Sequence, residues 1–155
     1  MNATEYMARQ TVQIAKSLIH FLQTTESVRL NWKLELSAGN STRSALEQAA
    51  ECVEVNRLIS SLLKGEPAAL RGDLTLTDAE EAENLLLESA QALAAAISSM
   101  SDADLDKEYQ HPRAIIRGEN LIMMAYRNMA YHAGQINFIQ TLAGDTEFHA
   151  PPNWR

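Results

Sequence analysis

A single cysteine, Cys52, stands in 155 residues, so no disulfide can form within the chain and no paired-cysteine zinc motif is available. Glycine and proline are scarce, at six and four, which excludes a turn-rich β fold and favours long helices. Aromatic residues are only 6% of the chain against 46% hydrophobic overall, so Leu, Ala, Ile and Met have to fill the core. Lys and Arg are scattered and outnumbered, giving a net charge of −7, which argues against a nucleic-acid partner. No run approaches the roughly 18 apolar residues that a membrane span requires. The first residues, MNATEYMARQTVQIAK, lack the basic-then-apolar layout of a secretion signal. The expectation is a cytoplasmic protein of one domain, residues 1–155, with no membrane partner.

What the chain does have is helical periodicity, longest between Gly118 and Gly144. Leu121, Ala125, His132, Ile136, Ile139 and Ala143 recur there at three-, four- and seven-residue steps. The apolar five lie within roughly 40° of His132 on a helical wheel. Asn128 and Gln135 flank the same stripe. Three polar side chains thus point where a helical core should be. Each would cost about 1–3 kcal/mol if buried without a partner, so they need partners. On the opposite side, Ala130 and Gly134 form a patch of small residues. A mid-helix glycine costs about 1 kcal/mol relative to alanine, which predicts close approach of another backbone there. That backbone is either the first helix of the same chain or a second subunit, and a homodimer is the preferred reading.

The second helix carries the other anomaly. Ser44 with Glu47 forms a capping box at its start, and Gly65 then Pro67 mark its end. Val55, Leu58 and Leu62 lie within about 40° of Glu51, with Cys52 and Ile59 extending the arc. Glu51 is therefore expected to be buried and to face His132. A buried lone carboxylate protonates, pairs or binds a cation. Cys52, beside it, is a candidate thiol ligand or nucleophile, against the plainer reading of an inert buried cysteine.

The remaining segments frame these two helices. A first helix is predicted from about Thr4 to Thr25, with one stripe at Met7, Ile14, Leu18, Phe21 and Leu22 and a second at Val12 and Ile19. Ser27 to Asn40 reads as an ordered loop, in which Trp32 covers a core edge or the mouth of a pocket. After a connector from Glu66 to Leu76, Thr77 and Glu80 cap a third helix with Ala82, Leu86, Ala90, Leu93 and Ile97 on its core face. The stretch SDADLDKEYQHPRAIIRGEN crosses back with a capped turn at Ser101, and the tail DTEFHAPPNWR lies extended against the body. Four long helices with two longer links indicate an all-α four-helix bundle with long crossover links.

Two stretches also carry a family resemblance. His132-Ala133-Gly134-Gln135 resembles the H-x-G-Q of the DinB-like bacterial four-helix proteins, a family that includes YfiT-type metal-dependent hydrolases and thiol S-transferases. RSALEQAAECVEVNRLI resembles the opening of that family's second helix, after a loop holding a tryptophan like Trp32. The resemblance implies an up-down-down-up bundle with a divalent metal held by three histidines. In this chain His132 matches the last of them, while Asn128 and Glu51 occupy the other two positions, a degenerate triad. It would hold a divalent ion (Zn, Ni or Mn) weakly or not at all.

Three readings of Glu51, Asn128, His132 and Gln135 stay open. They form a self-satisfied polar network, with Glu51 accepting from a His132 imidazolium, or a weakened metal site, or a metal-free ligand pocket with Trp32, Cys52 and Gln135 in its wall. The function expected from the resemblance is a metal-dependent hydrolase or thiol S-transferase acting on a small molecule. The alternative is a non-catalytic bundle that binds a small molecule or partner and has lost the metal.

Overall fold

The computed structural model describes residues 2–68 and 71–154. The connector from Glu66 to Leu76 includes Ala69 and Leu70, which lie outside the described residues. Four long helices dominate: α1 (Ala3–Gln23), α2 (Ala45–Lys64), α3 (Ala79–Ser98) and α5 (Gly118–Leu142), with a short α4 (Asp102–Asp106) before the last. α1 packs against α3 and α5, and α2 packs against the same two, so the four close into one circuit around a shared core. Among the described residues no helix is long and apolar enough to cross a membrane.

The helix starts follow local chemistry. Asn2 and Glu5 cap α1, and Ser44 and Glu47 cap α2, each pair exchanging side-chain and backbone hydrogen bonds. α2 ends at Gly65, whose φ of 69° is the left-handed conformation that favours glycine. α3 differs from expectation by one residue. Its N-cap is Asp78, accepting from the Glu81 N–H, while the Thr77 N–H and hydroxyl bond the Glu81 carboxylate.

Packing decides which face of each helix is buried. On α3, Ala82, Leu86, Ala90, Leu93 and Ile97 are fully buried, as their spacing predicts. On α1 the buried face is rotated from the expected stripe. Thr4, Ala8, Thr11, Ala15, Leu18 and Leu22 turn inward, and Met7 and Ile14 are only half-buried. The small residues let α1 approach both neighbours, and the Thr11 hydroxyl is satisfied by the Met7 carbonyl.

The return stretch is not irregular. β1 (Glu108–His111) and β2 (Ala114–Arg117) form an antiparallel hairpin, with Tyr109 opposite Ile116 and His111 opposite Ala114. Tyr109 and His111 alternate inward, and Pro112 falls in the turn, where its missing N–H costs nothing. Gly118, which opens α5, is required by contact. A Cβ there would lie 2.1 Å from the Asp104 carbonyl oxygen of α4. The tail closes on α1, where the Asn153 amide bonds the Gln13 carbonyl and the Trp154 indole N–H bonds the Ser17 hydroxyl.

Candidate functional site

α2 and α5 bring Glu51, Asn128, His132 and Gln135 together, and two residues not singled out from the sequence join them: Gln48 and Arg43. Gln48 lies one turn before Glu51 and is buried. Its side-chain N–H donates to the Arg43 carbonyl at 3.2 Å, which orients the amide and turns its oxygen toward His132 Nδ1 at 3.0 Å. The Gln135 amide oxygen lies 2.9 Å from the same nitrogen. Two acceptors at Nδ1 place the imidazole proton there, so the neutral ring presents the lone pair of Nε2. Nε2 faces Glu51 Oε1 at 3.5 Å.

Charge on this cluster is not what the sequence suggested. His132 is buried, and desolvation holds its pKa below the ordinary 6.5; the Gln135 hydrogen bond opposes that, and the nearby Arg43 charge adds to it. The imidazole is therefore neutral at neutral pH, rather than the imidazolium donor of the network reading. Glu51 faces His132 but is not buried, because its side chain keeps 32% of its exposure. The helix opens there to a cavity rather than to packed core. The Arg43 guanidinium, carried on the residue before the α2 N-cap, ion-pairs with Glu51 Oε2. Asn128 donates to Glu51 Oε1 at 3.4 Å, and its own Oδ1 is buried without a hydrogen-bond partner among the described residues.

The cluster forms the polar end of a cavity of about 430 Å³. Trp32, Leu34, Phe138 and Leu142 make its apolar wall, and Gln135 lies beside His132 in the lining. Cys52 is elsewhere. It is fully buried in the hydrophobic core, where burial pushes its thiol pKa far up, so it is neither ligand nor nucleophile for this cavity. The two residues are adjacent in sequence and so turn about 100° apart, and in this packing that separates core from cavity.

Sequence reasoning also passed over two buried amides outside the cavity. Asn56 is completely buried in α2, donating to the Ser89 hydroxyl at 3.2 Å and contacting Met129 sulfur at 3.6 Å, while its Oδ1 has no partner among the described residues. Gln140 ties α5 to the end of α1 through the Phe21 carbonyl and the Thr24 and Thr25 hydroxyls. Gly134, by contrast, faces open space. A Cβ at that position would meet no described heavy atom within 4 Å, so α1 is not the neighbour its smallness suggested.

A divalent ion shared by Nε2 and Oε1 finds a suitable spacing, since two tetrahedral ligands at about 2.1 Å stand roughly 3.4 Å apart. The donor set is otherwise poor. Glu51 is already neutralised by Arg43, and the third position supplies only an amide oxygen. Among the described residues no three His, Cys, Asp or Glu side chains converge on one point.

No family model matches the chain, and no curated protein does. Two solved structures share its architecture. A DinB-like protein from Bacillus cereus ATCC 10987 superposes with a TM-score of 0.69 at 16% identity, over 89% of this chain and 91% of its own. The fold is DinB-like. A second DinB-like protein, from Bacillus subtilis, superposes with a TM-score of 0.65 at 17% identity, over 95% of this chain and 96% of its own. At these identities the DinB-like likeness is one of fold, and the cavity's chemistry has to be argued from its own residues.

Proposed function

We propose that this chain is a metal-independent, small-molecule-binding DinB-like protein, a single-domain four-helix bundle with long links that works in the cytoplasm. One observation carries the reading: an apolar pocket of ligand-sized volume ends on a carboxylate whose charge Arg43 already balances. A ligand's apolar part lies against Trp32, Leu34, Phe138 and Leu142. Its hydrogen-bonding end meets the Nε2 lone pair of His132 and the Glu51 carboxylate, both acceptors. That combination favours a ligand donating N–H or O–H groups over one presenting only acceptors. The buried Gln48–His132–Gln135 hydrogen bonds hold the imidazole in one orientation, which is what a recognition group requires.

The metal-dependent hydrolase or thiol S-transferase remains the second reading, favoured by the 3.5 Å spacing of Nε2 and Oε1. Elemental analysis of protein purified without a His-tag separates the two. Less than a tenth of an ion per chain, with no calorimetric response to Zn, Ni or Mn, is the expected result; one bound ion per chain refutes the metal-independent reading. A homodimer is part of the proposal. Tyr131 and Phe138 are exposed on α5 around the open surface at Gly134, and a second copy would cover them.

A further inference from the structure

Glu51 and Asn128, with Thr42 and Arg43, line not only the apolar pocket but also a second, open groove of about 1070 Å³ on its far side. The two cavities therefore meet at the Glu51 carboxylate, which lines both. The groove's outer wall comes from elements that played no part in the site so far: the link after α2 and the β1–β2 hairpin. They supply Arg71, His111 and Arg113.

The charges in this groove are unequally spoken for. Lys33 pairs with Glu47 and Arg43 with Glu51. Glu54 is occupied by backbone. One of its oxygens accepts from the Gly72, Asp73 and Leu74 N–H groups at 2.9, 3.2 and 3.3 Å, which fastens the link to α2 and sets Arg71 at the groove edge. Among the described residues neither Arg71 nor Arg113 makes an ion pair; the Glu54 and Asp73 carboxylates share the groove with them, Glu54 being turned onto the backbone N–H groups. His111 adds a neutral donor. Its Nδ1 accepts the Arg113 N–H at 3.2 Å, so the ring proton is on Nε2. Burial and the Arg113 charge both lower the His111 pKa, which keeps that assignment at neutral pH. In a chain of net charge −7, this wall offers two unpaired cations and a ring N–H.

We propose that the bound molecule is amphipathic and elongated, with its apolar group in the Trp32–Phe138 pocket, its N–H or O–H donor at His132, and beyond it an oxyanion, carboxylate or phosphate, held by Arg71, Arg113 and His111. This rests on the ligand-pocket reading above and adds the ligand's class. Guanidinium groups match both oxyanions in bidentate geometry, so the head group is left for the experiment to distinguish.

The test is calorimetric titration of the full chain with octanol, octanoate and octyl phosphate, which share one apolar group. At low salt at least one anion should bind about five- to tenfold tighter than octanol, and the tighter of the two names the head group. That advantage should shrink in about 1 M salt and vanish in the double variant Arg71→Gln/Arg113→Gln, which should bind octanol like the wild type. Phe138→Ala should weaken every probe that binds. Octanol binding as tightly as both anions, or a double variant that keeps the anion preference, overturns the anion subsite alone. Failure of all three probes, or binding that ignores Phe138→Ala, overturns the pocket reading and the subsite with it.

Discussion

Arg43→Gln tests whether a guanidinium has taken the place of a bound cation. A divalent ion bound at His132 Nε2 and Glu51 would share that carboxylate with the guanidinium, so about 6 Å is taken as the scale of their separation. The Arg43 side chain is 60% exposed and Glu51 32%, so an effective dielectric of about 40 is appropriate rather than a buried value. The repulsion is then about 2–3 kcal/mol, reduced to about 1–2 kcal/mol by physiological salt. Glutamine removes the charge, keeps most of the length, and leaves Glu51 unpaired. Divalent-ion affinity should rise by about tenfold. At saturating ion that extra binding raises the melting temperature by about 3–6 °C relative to the wild type's own response. Arg43→Lys is the control that keeps the charge and should gain nothing. Thermal unfolding with and without Zn, Ni and Mn, backed by calorimetry, reads all three proteins. If Arg43→Gln and wild type respond equally, the guanidinium is not standing in for a cation, and the case for a metal-independent site loses its main support.

Other expectations follow from single contacts. Because the His132 and His111 pKa values are lowered in the fold, the unfolded chain takes up protons first as pH falls through 6.5; stability should therefore decline below that value and be constant above it. His132→Gln should flatten this slope without abolishing it, as followed by chemical denaturation across pH, and an unchanged slope counts against the neutral buried imidazole. Asn56→Leu removes a buried orphan oxygen and loses one amide bond, while the Ser89 hydroxyl keeps the Leu86 carbonyl. It should stabilise by about 1–2 kcal/mol in urea unfolding, and a loss would mean that the amide is better satisfied than its contacts indicate. Gly134→Ala has open space for its methyl and should stabilise a monomer by about 0.5–1 kcal/mol. If a second copy covers that face, Gly134→Leu should instead shift sedimentation toward monomer, and a wild type sedimenting as a monomer at micromolar concentration refutes the dimer.

Features made by residues three or four apart were legible from sequence. The capping box at Ser44, the turn opened by Ser101 and the α3 stripe from Ala82 to Ile97 are of this kind, because one helix turn contains both partners. His132 and Glu51 were visible as anomalies for the same reason, since a polar residue inside an apolar stripe is a property of one helix. The capping of α3 by Asp78 rather than Thr77 shows the limit even there, as two adjacent residues offered equivalent oxygens. What the neutral imidazole faces, and what balances Glu51, depend on how α2 and α5 are rotated about their axes. No wheel drawn for either helix alone contains that angle. Arg43 precedes its helix and follows no period, so only the ion pair reveals it. Cys52 and Glu51 lie on one predicted arc, yet packing sends the thiol into the core and the carboxylate to the cavity. The hairpin strands are four residues each, too short for alternation to stand out, and Gly118 is explained only by a carbonyl fourteen residues away in sequence. Local hydrogen bonding and hydrophobic period are written in neighbouring residues, whereas the site is made by contacts between segments about eighty residues apart, which exist only once the helices pack.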